Sequence, residues 1–119
     1  MNCNTLLSEQ AAEFRNAYQI TNSTTGRKKQ KSLIDEEWSE FHEAYHLKDK
    51  AEQLKELADL VYVCYQFAAN MEWDLDEAMH RVHRSNMSKL GEDGKPIYRE
   101  DGKVLKGPNY QPPTLTDLV

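Results

Sequence analysis

Residues Leu54–Met71 read LKELADLVYVCYQFAANM, and what surrounds this run sets the architecture of the chain. Leu54, Leu57, Ala58, Val61 and Tyr65 recur at the spacing of one helix face. Leu60, Val63, Cys64 and Phe67 fill the other sides, and a helix that is apolar all round has to be covered all round. The apolar-rich stretch within it, LADLVYVCYQFAANM, contains Asp59 and Gln66 and is too short to span a bilayer, so its cover is expected to be protein. Three further helices in a chain of 119 residues leave part of it bare. A homodimer or homotetramer, with this helix near the interface, is the expected remedy.

The neighbouring segments supply those three helices. Asp49, after the short turn at Lys48, is placed to cap the start of the third helix. Upstream, a helix from about Thr5 to Ile20 carries Leu7, Ala11, Phe14 and Tyr18 on one face, and TNSTTG stops it. A second helix follows GRKKQK and runs to about Leu47, with Ile34, Trp38, Phe41 and Tyr45 as its apolar stripe. Downstream, Asp74 and Glu77 have capping-box spacing and open a fourth helix towards Leu90. From Gly91 the sequence GEDGKPIYREDGKVLKGPNYQPP is rich in Gly and Pro, and IYR and KVL flank a hairpin turn. The expected fold is all-α and four-helix-bundle-like. Residues 5–90 form the helical domain, and 91–119 an ordered tail packed on the same domain.

Composition narrows the function classes. A net charge of -5 without a basic stripe argues against DNA as a partner. Cys3 and Cys64 are far apart and Cys64 sits in the apolar run, so a reduced thiol and a reducing compartment are expected. The start MNCNTLLSEQ has neither the basic nor the apolar region of a signal peptide, and a cytoplasmic protein with no membrane partner is the expectation.

The second helix poses a question of charge. Ile34–Ala44, IDEEWSEFHEA, holds five acidic residues beside its apolar stripe. With Ile34 at zero and about 100° per residue, Glu36 and Glu43 fall near 200° and 180° and face water. Glu37 and Glu40 fall near 300° and 240°, on the shoulder of the stripe. In the third helix Glu56 and Asp59 are again three apart and project from one surface. Two such pairs on successive antiparallel helices can converge into four oxygen donors. That set suits Mg²⁺, which prefers carboxylates, water and phosphates. A single E-x-x-E is usually only a solvated surface, so the weight rests on the combination. Glu43/His46 and Glu77/His80 share the Glu-x-x-His spacing of di-iron bundles, but the wheel turns both pairs outward.

In the fourth helix Leu75, Met79 and Val82 form the inward stripe, and the next positions on it are Asn86 and Lys89. A core face that ends in an amide and an ammonium suits phosphate oxygens as well as it suits a helix running out into solvent.

With those residues placed, the chain resembles the all-α nucleoside triphosphate pyrophosphohydrolases, the MazG-like and phosphoribosyl-ATP pyrophosphohydrolase-like proteins. The resemblance rests on EEWSE, ELADLVYV and RSNMSKL, and it extends from about Leu33 to Pro113, including the tail. It implies a MazG-type fold and a Mg²⁺-dependent hydrolase, with Mn²⁺ able to substitute. Such an enzyme cleaves a nucleotide between its α- and β-phosphates and releases a nucleoside monophosphate and pyrophosphate. It implies Glu37, Glu40, Glu56 and Asp59 as metal ligands, Glu37 or Glu40 as general base, and Asn86 and Lys89 on the phosphate chain. Lys28, Lys29 and Lys31 are further phosphate candidates. Phe14 and Tyr18, on the helix that selects the base in such folds, are candidates to stack it. The expected substrate is a (d)NTP of the nucleotide pool, with phosphoribosyl-ATP as an enzymatic alternative. A catalytically inactive helical oligomerisation or partner-binding module is the non-enzymatic one.

Overall fold

The computed structural model describes residues 6–119 and contains α1 (Leu7–Ala17), α2 (Gly26–His46), α3 (Lys50–Met71) and α4 (Leu75–Met87). A single 3-10 turn, Thr116–Leu118, follows, and no strand occurs among the described residues. The all-α, four-helix expectation is met. Thr5, the expected first helical residue, and Cys3 lie outside the described residues. The chain divides into two compact units, one ending at Leu75 and one spanning Asp76–Val119.

In the first unit α3 packs against both α2 and α1. Its N-terminus is capped as expected, Glu52 N donating to Asp49 Oδ1 at 3.1 Å. Helix α1 stops at Ala17, three residues earlier than its sequence period suggests. Gln19 turns left-handed at φ 57°, Ile20 N donates to Arg15 O at 2.8 Å and Gln19 N to Asn16 O at 3.2 Å. This crossed pair of bonds closes a helix end whether or not a glycine occupies the turn.

Asn70, near the end of α3, holds the α1–α2 connection. Its Nδ2 donates to Ser23 O at 2.7 Å, and its Oδ1 accepts from Ser23 N at 3.2 Å and Arg15 Nη2 at 2.9 Å. A Cβ on Gly26 would lie 2.9 Å from that same Oδ1, so the first residue of α2 has to be glycine for the chain to pass this close. Arg15 also donates to Asn22 Oδ1 at 2.9 Å and to Gln66 Oε1 at 3.3 Å. These acceptors are all neutral amides, and burial pulls the guanidinium pKa down.

The faces that the helices bury differ from the expected stripes. On α2 the covered arc runs through Gln30, Leu33, Glu37, Glu40 and Ala44; of the expected stripe Ile34 and Phe41 are half-buried, whereas Trp38 is 58% and Tyr45 66% exposed. On α3 the covered line is Glu56, Asp59, Val63, Gln66 and Asn70, and Leu54, Leu57 and Val61 are exposed. The two helices meet along their polar-containing arcs, because these are the arcs that face each other in antiparallel register. The purely apolar ones are left over. Only alanines (Ala11, Ala44 and Ala68) are buried hydrophobic residues among those described. Cys64 is a free, half-buried thiol whose pKa burial raises.

In the second unit α4 ends at Met87 rather than Leu90. Lys89 N and Leu90 N reach back only three residues, to Asn86 O and Met87 O, so the last turn tightens out of the α-helix. Met79, expected inward, is exposed, while Leu75, Ala78, Val82 and Ser85 lie on the covered side. The tail folds onto this helix. Arg81 donates to Asp117 Oδ1 at 2.6 Å and Thr114 O at 2.9 Å, and Gln111 N donates to Ser88 Oγ at 3.0 Å. Gly107 N donates to Lys89 O at 2.8 Å, and any Cβ there would meet Leu90 O at 2.4 Å. The expected hairpin is present in minimal form, as a single antiparallel bridge between Tyr98 and Val104 closed by Gly102 at φ 87°. Among the described residues no helix is long and apolar enough to cross a membrane.

Candidate metal centre and nucleotide site

Glu37 comes from the middle of α2, and Glu56 and Asp59 from the first half of α3. Oxygens from these three lie within 4.8 Å of one another. Glu56 is only 6% exposed, and Oε2 of both Glu37 and Glu56 is buried without a hydrogen-bond partner. Two buried carboxylate oxygens left unpartnered are costly unless something cationic meets them. The charge present is partly balanced by Lys55, whose Nζ lies 3.0 Å from Asp59 Oδ2 and 3.3 Å from Glu56 Oε1. Those carboxylates hold the Lys55 ammonium protonated well above its ordinary range. Three converging carboxylates, two of which carry a buried unpartnered oxygen, fit a hard divalent cation.

Glu40 stands beside Glu37 rather than within the group of three. Burial, a hydrogen bond with Glu40 and the charges of Glu40, Asp59 and Glu56 push the Glu37 pKa up to about 7. Glu52, which the sequence reading overlooked, joins the rim of the cluster, and its hydrogen bond with Glu56 raises its own pKa. The outward residues are where the wheel puts them. Glu36, Glu43, His46 and His80 are exposed, and Glu77 pairs with Arg81 at 3.1 Å, so neither Glu-x-x-His pair forms a site.

The raised Glu37 pKa has a measurable sign. An acid that binds its proton more tightly in the folded chain stabilises the fold fully below about 4.5, and that contribution is lost as pH rises through about 7. Metal-free Glu37→Gln is therefore expected to unfold at a higher temperature than wild type at pH 8, with the difference closing by pH 5. Added Mg²⁺ should stabilise wild type more at pH 8 than at pH 5.5, because a ligand must lose its proton to bind. Thermal unfolding at these pH values measures both, and a pH-independent difference contradicts the assignment.

The model of the family described as phosphoribosyl-ATP pyrophosphohydrolase matches residues 3–86. The chain belongs to that family. It is thus a pyrophosphohydrolase, a hydrolase acting on phosphoric anhydrides, of the MazG-like all-α superfamily. No curated protein matches the chain. The family match takes in α1, which the sequence reading left weakly matched. It ends at Asn86, so the tail from Met87 and Lys89 lies outside it.

The remaining candidates of this pyrophosphohydrolase are spread over both units. Phe14 is half-buried, 5.7 Å from the Tyr62 ring edge-on and 4.6 Å from Tyr18, which is itself exposed at the end of α1. Lys28 is exposed, Lys31 is paired with Asp35 at 2.9 Å, and Lys29 borders a cavity between α1, α2 and α3. Asn86 is exposed near the end of α4, and Lys89 sits in the turn after it. Gln30, unnoticed in the sequence, and Gln66, read there only as a polar residue within the apolar run, also border that cavity. A signal was there: Gln30 falls at about 320° on the α2 wheel, beside Glu37.

Proposed function

We propose that the chain cleaves the α–β phosphoanhydride of a nucleotide by attack of water, releasing a monophosphate and pyrophosphate. Phosphoribosyl-ATP is the first-choice substrate, because the family match favours it. The observation that carries the reading is the meeting of Glu37, Glu56 and Asp59 across α2 and α3 with two buried, unpartnered oxygens. Mg²⁺, or Mn²⁺ in its place, would be held by these three with Glu40 beside them, and would neutralise and orient the polyphosphate. Glu37 is the proposed general base. Burial and the neighbouring Glu40, Asp59 and Glu56 raise its pKa to about 7 in the metal-free chain, which marks it as the member of the cluster that exchanges a proton near neutral pH. Asn86 and Lys89 are the proposed phosphate contacts, with Lys28 and Lys31 as auxiliary ones. The proposed compartment is the cytoplasm.

A (d)NTP of the nucleotide pool is the second candidate substrate. Pyrophosphate release from phosphoribosyl-ATP and from the common NTPs and dNTPs, with and without Mg²⁺, separates the two. Release from none of them overturns the proposal and leaves a non-catalytic helical module, and orthophosphate as the first product overturns the proposed position of cleavage. Lys89→Ala should lower kcat/KM by roughly tenfold to a thousandfold, the range for one charge-assisted contact to a reacting phosphate. Lys95→Ala in the Gly-rich turn is the control and should cost far less.

A second copy of the chain is the proposed cover for the apolar arcs left bare. Leu54, Leu57 and Val61 continue along one exposed face of α3, with Leu7 of α1 beside them on the same groove. A straight apolar stripe can pair with itself about a two-fold axis. Light scattering at micromolar concentration should give at least a dimer, and Leu57→Asp should shift it towards monomer. A soluble wild-type monomer contradicts this.

A further inference from the structure

Lys89 is half-buried, and its ammonium has no hydrogen-bond or ion-pair partner among the described residues. Its main chain, by contrast, is held from several sides. Lys89 N reaches Asn86 O at 3.2 Å in the tightened last turn, and the chain then leaves α4. Gly91 N donates to Lys95 O at 2.8 Å, and the segment runs out through the Tyr98–Val104 bridge. On the way back Leu105 N donates to Ile97 O at 2.8 Å, and Gly107 N closes the excursion on Lys89 O at 2.8 Å. From there the tail runs antiparallel to α4. Gln111 N meets Ser88 Oγ at 3.0 Å, and Arg81, about two turns earlier on the helix, holds Thr114 O and Asp117.

The approach at Gly107 is the closest of these. A Cβ there would lie 2.7 Å from Lys89 O and nearer still to Leu90 O, and neither backbone atom can swing aside as a side chain does. Gly94 and Gly102, in the excursion itself, have nothing within 4 Å of such a Cβ. The tail therefore presses hardest on α4 at the residue that carries an unpartnered, half-buried cation. We infer that residues 107–111 form a clasp in which Gly107 is a positioning residue, fixing the backbone of Lys89 and with it the direction of the ammonium towards phosphate. Helix α4 alone does not supply this. Carbonyls at a helix end lack partners within the helix, and a lysine there frays with the last turn. Such a lysine orders its backbone anew each time it meets a ligand, whereas a clasped one has met that cost on folding.

The inference rests on Lys89 as a phosphate contact, and its test reads binding so that it does not depend on hydrolysis. Mg²⁺-dependent binding of inorganic tripolyphosphate to the full chain is measured by calorimetry, with urea unfolding on the same samples. Wild type, Gly107→Ala, Lys89→Ala and the double variant form one cycle. Gly107→Ala should weaken binding by roughly fivefold to thirtyfold, the cost of ordering one residue's backbone. In the Lys89→Ala background the same change should cost less than about twofold, since no ammonium is left to aim. Asp117→Asn loosens the tail at Arg81, away from Lys89, and should leave binding unchanged. Should Gly107→Ala fail to fold, Ser88→Ala, which frees Gln111 N beside Lys89, takes its place in the cycle. Equal losses in both backgrounds, a loss from Asp117→Asn as large as that from Gly107→Ala, or binding indifferent to Lys89 each overturn the inference, even if nucleotides are hydrolysed. Coupling between Gly107 and Lys89 in a protein that releases pyrophosphate from no nucleotide supports the inference and removes the proposed function instead.

Discussion

Asp59→Asn and Glu56→Gln are each expected to lower kcat/KM for pyrophosphate release by at least on the order of a hundredfold to a thousandfold, the range for losing one preorganised charge contact at a reacting centre. The fold should survive both changes. Glu56 Oε2 has no partner to lose, and Asp59 has Lys55, an exposed side chain that can swing to water, as its salt-bridge partner. An amide in either position keeps shape and loses the charge a divalent cation needs. The matched pair is Glu36→Gln and Glu43→Gln, exposed on the far side of α2, which should stay within about twofold of wild type, surface charges so placed contributing little. Steady-state pyrophosphate release with circular dichroism on the same samples makes the comparison. Equal losses from the inner and outer carboxylates would mean that the cluster is not where the reaction is supported.

The largest expected loss of stability is at the other end of the same helix. Asn70→Ala removes two hydrogen bonds to Ser23 and one from Arg15, all at a residue 4% exposed. At about 1 kcal/mol net for each, the sum is about 3 kcal/mol. The α1–α2 connection loses its attachment to α3 at the same time, and Arg15 loses one of three acceptors for a charge that already lacks an acidic partner. Urea unfolding followed by circular dichroism measures this, and a loss below about 1 kcal/mol would show that the connection is held by other contacts. Asn70→Asp is the informative companion, since a carboxylate would keep the bond from Arg15 and supply the missing negative charge.

Helix number, order and several boundaries were legible because period and punctuation are local properties, although α2 begins at Gly26 and takes in GRKKQK, which was expected to precede it. Asp49 caps α3 as its position suggests, and α3 ends at Met71 where Glu72 turns left-handed. What local pattern could not give was which arc of α2 and α3 faces inward. Trp38 and Leu54 are the most apolar choices for a core, yet both are exposed, because register between the helices, not hydrophobicity alone, selects the arc. The same blindness hid Gln30 and Asn70, since an isolated glutamine or asparagine in a helix carries no pattern. The carboxylates were found because they come in pairs with a period. The end of α4 escaped because a tightened last turn leaves the sequence period unchanged until the bonds shorten at Lys89.

Lys55 gives the cluster a character of its own. Its ammonium lies across Glu56 and Asp59, so a divalent ion arriving there meets a tenant tethered by four methylenes. Under the proposed function, loading would be an exchange, one mobile double charge for one leashed single charge, and the displaced lysine would stay within a side chain's length of the site. Without metal the three carboxylates are thus not a bare pile of negative charge, since an ammonium from the same helix already answers two of them.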